Sequence, residues 1–391
     1  MRRATPPCLL FLRRPIFLPV LILLLVSAVS FAQSASAQTS SPQPNNPQAN
    51  NPQIQQDYLE KARVVTASQS QITQVPGTSV STQRQAVTIT VLSGHDTGTT
   101  VSFENDYPTQ VKTGDIIYVR HTTGGDSPDL WAISDTYRIP ILVGLALVFL
   151  ALVFVFGGLP GVRGIASLAG SMILIFYVLL PGIYAGLSAT LLAIGVASLI
   201  IIVGSYITHG FTRTTTAAVF GMILTVLVTG ALAYWAVHMA HLTGFTNEEN
   251  AYLNFNTAGK IDMVGLLFGG IMIGLLGVLY DIAIGQAVAV EELFRASVEY
   301  SRTKVYRRAL RIGREHIGAL VNTLAIAYVG ASLPILLLLH DSTAGIGYVL
   351  NSERFATEII RILIGSIGLV LAVPITTLIA SYMLRHNQGR E

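Results

Sequence analysis

The chain has 391 residues, of which 51% are hydrophobic and 12% charged, with a mean hydropathy of +0.58. A soluble domain carries about 25% charged residues, so much of this surface does not face water. The net charge of +3 is too small to select an acidic partner, and the single cysteine, Cys8, excludes an intrachain disulfide and a cysteine-based metal site.

Residues 1–32 read as an export signal. Arg2, Arg3, Arg13 and Arg14 precede an apolar run over 15–32, and small-residue cleavage patterns end at Ala32 or Ala37. The run is nearly long enough to span a bilayer, so an uncleaved signal-anchor helix is the alternative. Both place the following residues outside the cytoplasm. Residues 33–56 carry no charge and are dominated by Gln, Asn, Pro and Ser. Such a stretch buries too little apolar surface to offset chain entropy, which predicts a disordered linker.

Residues 57–136 change character. Val87, Ile89 and Val91 alternate with Thr88 and Thr90, a period-two strand. A turn over 93–98 leads into a return strand with Val101 and Phe103 on one face. A second turn over 111–115 leads into a strand over 116–120, and a further short strand covers 131–134. The pattern predicts a small β-rich barrel or sandwich of OB-like or SH3-like size.

From 139 onward, apolar runs alternate with short polar loops. The spacing predicts about seven spans: 139–156, 164–180, 187–207, 216–238, 263–288, 317–339 and 362–384. In lipid the backbone must satisfy its own hydrogen bonds, and these runs lack a membrane barrel's alternation, so they are helices. The expected fold is therefore a mainly α-helical polytopic membrane protein with a small extracytoplasmic β-rich domain. Residues 139–384 form the transmembrane domain and 385–391 a cytoplasmic tail. Arg163, Arg213, the seven bases between Arg295 and Arg314, and Arg385 and Arg390 fall on one side. The opposite loops carry Glu248, Glu249, Asp262, Asp341, Glu353 and Glu358. This asymmetry puts the β-rich domain outside and the C-terminus in the cytoplasm.

Several residues stand out against this background. Gly265, Gly269, Gly270, Gly274 and Gly277 crowd the fifth span, a spacing that lets another helix approach closely. Asp281 follows, then Gln286. A carboxylate at the bilayer centre costs roughly 2.5–3.5 kcal/mol, so Asp281 should face the bundle interior or water and find a partner. Asn322 and Thr323 should lie at a similar depth in the sixth span, and the expected partner is Asn322. Pro374 should kink the last helix and free a carbonyl. A structural hydrogen bond and a transport pathway are both open for this polar level.

Over 291–316, Phe294, Val298, Val305, Ala309 and Ile312 form one helical stripe, with Lys304, Arg307, Arg308, Arg311 and Arg314 opposite. That predicts an interfacial amphipathic helix on anionic lipid headgroups, whose place between two spans makes nucleic acid an unsuitable partner. His238 and His241 read as interfacial residues rather than metal ligands. No HExxH and no GxxxxGK[ST] occurs, and Tyr280-Asp281 lacks the second aspartate motif of an intramembrane protease. No metal, cofactor or enzymatic activity is expected.

Taken in order, several stretches resemble the YibE/F family of bacterial membrane proteins: Ile133-Ser134-Asp135-Thr136-Tyr137-Arg138, Thr208-His209-Gly210-Phe211-Thr212-Arg213, GVLYDIAIGQAVAVEEL over 277–293, GREHIGALVNTLAIAYVGASL over 313–333, and NSERFATEIIRILIGSIGLVLAVPITTLIA over 351–380. The similarity runs from about residue 60 to the end. It departs from the family's serine-alanine-rich stretch after the aspartate, where Gly285-Gln286-Ala287-Val288-Ala289 stands. The resemblance implies a multi-pass protein of the cytoplasmic membrane and no particular reaction. Two functions follow as expectations: a permease or channel-like transporter using Asp281, or a membrane assembly or signalling component whose external domain binds a protein partner. An intramembrane enzyme is the weakest reading, because no catalytic constellation is complete.

Overall fold

The computed structural model describes residues 56–74, 81–105, 110–123, 129–297, 299–340 and 345–384. The signal over 1–32, all but the last residue of the linker, and the tail over 385–391 lie outside the described residues. The chain divides at Val153/Phe154 into two compact units.

The N-terminal unit is an antiparallel sheet. Its strands are β1 (Gln56–Ala67), β2 (Gln71–Gln74), β3 (Ser81–Ser93), β4 (Thr100–Asn105), β5 (Ile116–Thr123) and β6 (Leu130–Thr136). The order is β2-β3-β1-β5-β6, with β4 paired to β3. β6 comes alongside β4, so the sheet curls into a half-barrel. The alternation in β3 does what its period demands: Val87, Ile89 and Val91 are buried. Val87 and Ile89 pack with Ala62, Val64, Val111, Ile117, Val119 and Ile133 against the flanks of Val101, Phe103 and Trp131. On the other face, hydroxyls pair across the strands, Thr88 with Ser102 at 2.8 Å and Thr90 with Thr100 at 3.1 Å. β1 was not legible as a strand. Its inward positions are Glu60, Ala62 and Val64, so a carboxylate stands where the pattern asks for an apolar group.

The helices are α1 (Ile139–Leu174), continued by a π-helical turn (Ile175–Leu179), then α2 (Leu180–Tyr184), α3 (Ala189–His209), α4 (Arg213–Met239), α5 (Glu248–Asn256), α6 (Met263–Ala296), α7 (Arg302–Ala331), α8 (Leu333–His340), α9 (Ile346–Asn351) and α10 (Glu353–Met383). The starts of α3, α4 and α7 are capped by hydroxyls. The hydroxyls of Ser188, Thr212 and Ser301 accept from the amides of Leu191, Thr215 and Lys304. Gly210 stops α3 with a φ of 75°, which an L side chain rarely adopts.

Among the described residues, five helical runs are long and apolar enough to cross a membrane: Ile139–Tyr184, Ala189–His209, Arg213–Met239, Met263–Ala296 and Glu353–Met383. Seven spans were expected, and the difference has two sources. The first two expected spans form one run of 46 residues, interrupted at Gly158 (φ 53°, ψ −145°) just before Pro160. The expected span 317–339 is split between α7 and α8. α7 begins in the basic stretch, so only its second half is apolar, and Ser332-Leu333-Pro334 ends it because Pro334 has no amide to donate.

The bundle core lies where α10 packs against α4, α6 and α7. Met222 and Val226 meet Phe268, Ile271, Met272, Leu275 and Leu279, with Leu369 and Val373 from α10. α10 continues as helix through Pro374. α1 buries only Ala169, and Phe154, Val155 and Phe156 stay open to the surroundings.

Candidate functional site

The glycines of α6 divide into two sets. A Cβ on Gly265 would come 3.2 Å from Ala189 Cβ, and one on Gly269 would come 3.4 Å from Ala193 Cβ. Two small residues a turn apart on α6 thus meet two on α3. A Cβ on Gly274 would lie 2.7 Å from Tyr328 Oη of α7. Among the described residues, nothing lies within 4 Å of that position at Gly270 or Gly277. Three of the five expected packing glycines therefore pack within this chain, and two face outward.

Inside the bundle the polar centre is built around Gln286. Its side chain is buried, and Thr377 Oγ1 donates to Gln286 Oε1 at 2.9 Å. The same Thr377 hydroxyl lies 2.6 Å from the Val373 carbonyl one turn earlier, a carbonyl adjacent to Pro374. Gly313 of α7 closes the third side. A Cβ there would meet Gln286 Nε2 and Val373 Cγ1, each at 2.5 Å. The sequence placed Gln286 and Pro374 near a polar level; it did not show that Gly313 and Thr377 complete the crossing of α6, α7 and α10.

A second polar line joins α4 to α10. A Cβ on Gly221 would lie 2.5 Å from Thr376 Oγ1 and 2.9 Å from Thr376 Cα. A Cβ on Gly368 would lie 2.9 Å from Thr229 Oγ1 and Cγ2. Each helix thus gives one glycine and receives one threonine, two turns apart, as antiparallel neighbours must. Thr225 satisfies its hydroxyl on the Gly221 carbonyl at 2.8 Å. Thr229 and Thr376 are fully buried, with hydroxyl oxygens that have no hydrogen-bond partner among the described residues.

Asp281 stands apart from both. It lies on an exposed face of α6, and no hydrogen bond joins it to Asn322, which is exposed on α7. Thr323 donates to its own helix, to the Ala319 carbonyl at 2.9 Å. From Asp281 to Gln286 the helix turns about 140° and rises about 7.5 Å, so the two point to different sides. Beside Asp281, the Tyr280 hydroxyl donates to the Gly204 carbonyl at 3.4 Å, and its ring lies 5.9 Å from that of His209. About three turns further along α6, Thr214 donates to Glu291, which also pairs with Arg295 at 2.6 Å. The stretches 208–213 and 277–293, separate in sequence, thus lie against each other.

The basic segment differs from its expected form. Glu291–Ala296 finishes α6, and Arg302 begins α7. Phe294, Val305 and Ala309 are buried in the bundle core, Ile312 is exposed, and the side chain of Val298 lies outside the described residues. Three of the five stripe residues therefore face protein. Helix neighbours were invisible to the sequence, so an inward face looked like a membrane-facing one. Tyr300 occupies two of the bases: Arg308 donates to its hydroxyl at 2.5 Å, and Lys304 Nζ sits 4.1 Å from its ring centroid. Arg307, Arg311 and Arg314 project from the exposed side.

The N-terminal unit carries a cluster that sequence reading passed over. Glu60 is fully buried, its Oε1 accepts from the Asp96 amide at 2.9 Å, and its Oε2 has no partner among the described residues. Gly94 (φ 122°) lets the 93–98 turn close over this carboxylate, since a Cβ there would lie 2.5 Å from Glu60 Oε1. Asp96 accepts from His95 at 3.1 Å and from His121 at 2.5 Å, and the His121 ring stacks on Trp131 at 3.9 Å. Burial raises the Asp96 carboxyl, but the hydrogen bonds and charges of the two histidines together outweigh it and hold the group below the usual carboxylate value.

The family profile described as YibE/F-like protein matches residues 145–386, which include α2 to α10, the Gln286 centre and Asp281 but not the N-terminal sheet. No curated protein and no solved structure matches the chain.

Proposed function

The chain belongs to the YibE/F-like family, and from that premise we propose that it is a permease or channel-like transporter of the bacterial cytoplasmic membrane. The observation that carries this reading is the run of polar side chains inside an apolar bundle. Thr225, Thr229, Gln286, Thr376 and Thr377 are buried along the contacts of α4, α6 and α10, and two of the hydroxyls lack partners among the described residues. Polar groups buried in a membrane bundle are costly, and they either join helices or line a pathway.

In this reading the break at Gly158 divides the first helical run into two passes. A run of 46 residues is about 69 Å long, more than twice the roughly 30 Å hydrocarbon thickness. α7 with α8 supplies the seventh pass. The half-barrel, of OB-like or SH3-like size, lies outside and the C-terminus in the cytoplasm. Asp281 acts as the ionisable group at the outer face of α6, and Gln286 with Thr377 as the inner polar gate. The basic side of α7 rests at the anionic headgroups. An assembly or signalling role is the second reading, favoured by the self-contained core of the N-terminal sheet.

The test is proton and monovalent-cation flux in proteoliposomes. Wild type should conduct under an imposed gradient. Asp281→Asn and Gln286→Leu should abolish flux while the protein still accumulates in the membrane. Wild-type liposomes that hold their gradient would overturn the transport reading and leave the partner-binding one.

A further inference from the structure

We infer that the cavity at the start of α3, the end of α4 and the start of α6 binds a small organic cation carrying a primary ammonium group. The inference concerns binding and holds with or without transport. The cavity has a volume of about 780 Å³, within the roughly 300–1,000 Å³ usual for small-molecule sites. Thr190, Tyr234, His238, His241, Asp262 and Phe268 are among its walls.

Two of its polar groups, His238 and Asp262, offer acceptors to the cavity. His238 Nδ1 lies 2.8 Å from the Tyr234 carbonyl. A carbonyl only accepts, so Nδ1 carries the hydrogen and the neutral ring keeps a lone pair on Nε2. Asp262 precedes α6 but makes no capping bond. Its carboxylate is folded over Gly265, where a Cβ would come 2.5 Å from Oδ2. The residue that would ordinarily close the helix start thus keeps its charge at the cavity.

The field has the right sign. Asp262 contributes a full negative charge, and the carbonyl end of α4 contributes about half of one. The amide ends of α3 and α6 each contribute about half a positive charge, and the α3 end is covered by Ser188. The balance is negative, which favours a cation. The cation is not a bare metal. Among the described residues, no three imidazole, carboxylate or thiol groups converge to hold one. The walls instead offer the rings of Tyr234 and Phe268, suited to an ammonium group with an alkyl chain. The rim is held in place: the amides of Thr243 and Gly244 and the Thr243 hydroxyl all donate to Glu353, at 2.7 to 2.9 Å.

The experiment titrates the full chain in nanodiscs, by calorimetry, with butylammonium, butanol, butyrate and magnesium chloride. Butylammonium should bind saturably, and butanol and butyrate should not. Asp262→Asn should weaken binding tenfold or more. Gly265→Ala should do the same by pushing the carboxylate aside, with its thermal transition retained as the check on folding. Glu292→Gln, at the other end of α6, should leave binding unchanged. Absent butylammonium binding, equal binding of butanol or butyrate, or displacement of butylammonium by magnesium at equal concentration would overturn the proposal. So would unchanged affinity in both Asp262→Asn and folded Gly265→Ala.

Discussion

Gly221 and Gly277 are both helix glycines in an apolar sequence, and their surroundings give them opposite predictions. A Cβ on Gly221 meets the Thr376 backbone, which a rotamer change cannot relieve. Gly221→Val should therefore destabilise the bundle by about 1–3 kcal/mol, as overpacking does. A Cβ on Gly277 meets nothing within 4 Å among the described residues, so Gly277→Ala should be neutral or stabilise the helix by up to about 1 kcal/mol. Thermal unfolding in detergent separates them, and equal melting temperatures for the two variants would refute the α4–α10 contact. Asp96 makes a pH prediction. Its carboxyl is held below the usual value, so its contribution to stability is fully present above the unfolded value of about 3.9. It is lost as pH falls through the lower folded value. Melting temperatures of the wild type should drop over that acid range, and Asp96→Asn should drop less. Parallel curves would mean that the histidine contacts carry no stability.

At the scale of elements, the N-terminal sheet has a core of its own, built from β1, β3, β5 and β6 with Val111. A fragment of residues 57–136 should give a β-type circular dichroism spectrum and a cooperative melt. A disordered spectrum would make the sheet dependent on the rest of the chain. α7 makes a second prediction. Its Val305 and Ala309 pack inward and Tyr300 engages Lys304 and Arg308, which leaves Arg307, Arg311 and Arg314 facing outward. Replacing those three by Gln should reduce retention of anionic lipid, measured by native mass spectrometry, with the effect fading as salt rises. Replacing Lys304 and Arg308 should do less. The reverse ranking would place the lipid contact on the other side of the helix.

For the molecule as a whole, the prediction is topology. Reporter fusions after residues 125, 184, 250 and 345 should report outside, and those after 161, 211, 305 and 388 inside. The fusion at 161 tests the Gly158 break most directly. An outside signal there would make Ile139–Tyr184 a single tilted or protruding helix rather than two passes. A periplasm-active reporter at 305 would reverse the whole arrangement, because the bases between Arg295 and Arg314 set the orientation.

By itself the sequence determined what depends on local composition. Period-two alternation marked β3, and long apolar runs marked α3, α4, α6 and α10, because side-chain direction follows from backbone repeat alone. The family resemblance was legible for the same reason: it sits in continuous stretches, and the profile match over 145–386 bears it out. Tertiary structure decided which neighbour each side chain meets. It buried Glu60 at a core position of β1, turned Val305 and Ala309 of α7 into the bundle core, and set Thr377 and Gly313 around Gln286. It left Asp281 on an outer face without a hydrogen bond to Asn322 among the described residues. Equal depth in two helices does not make a contact, since each residue turns about 100° from the last and only packing selects the face that is shared.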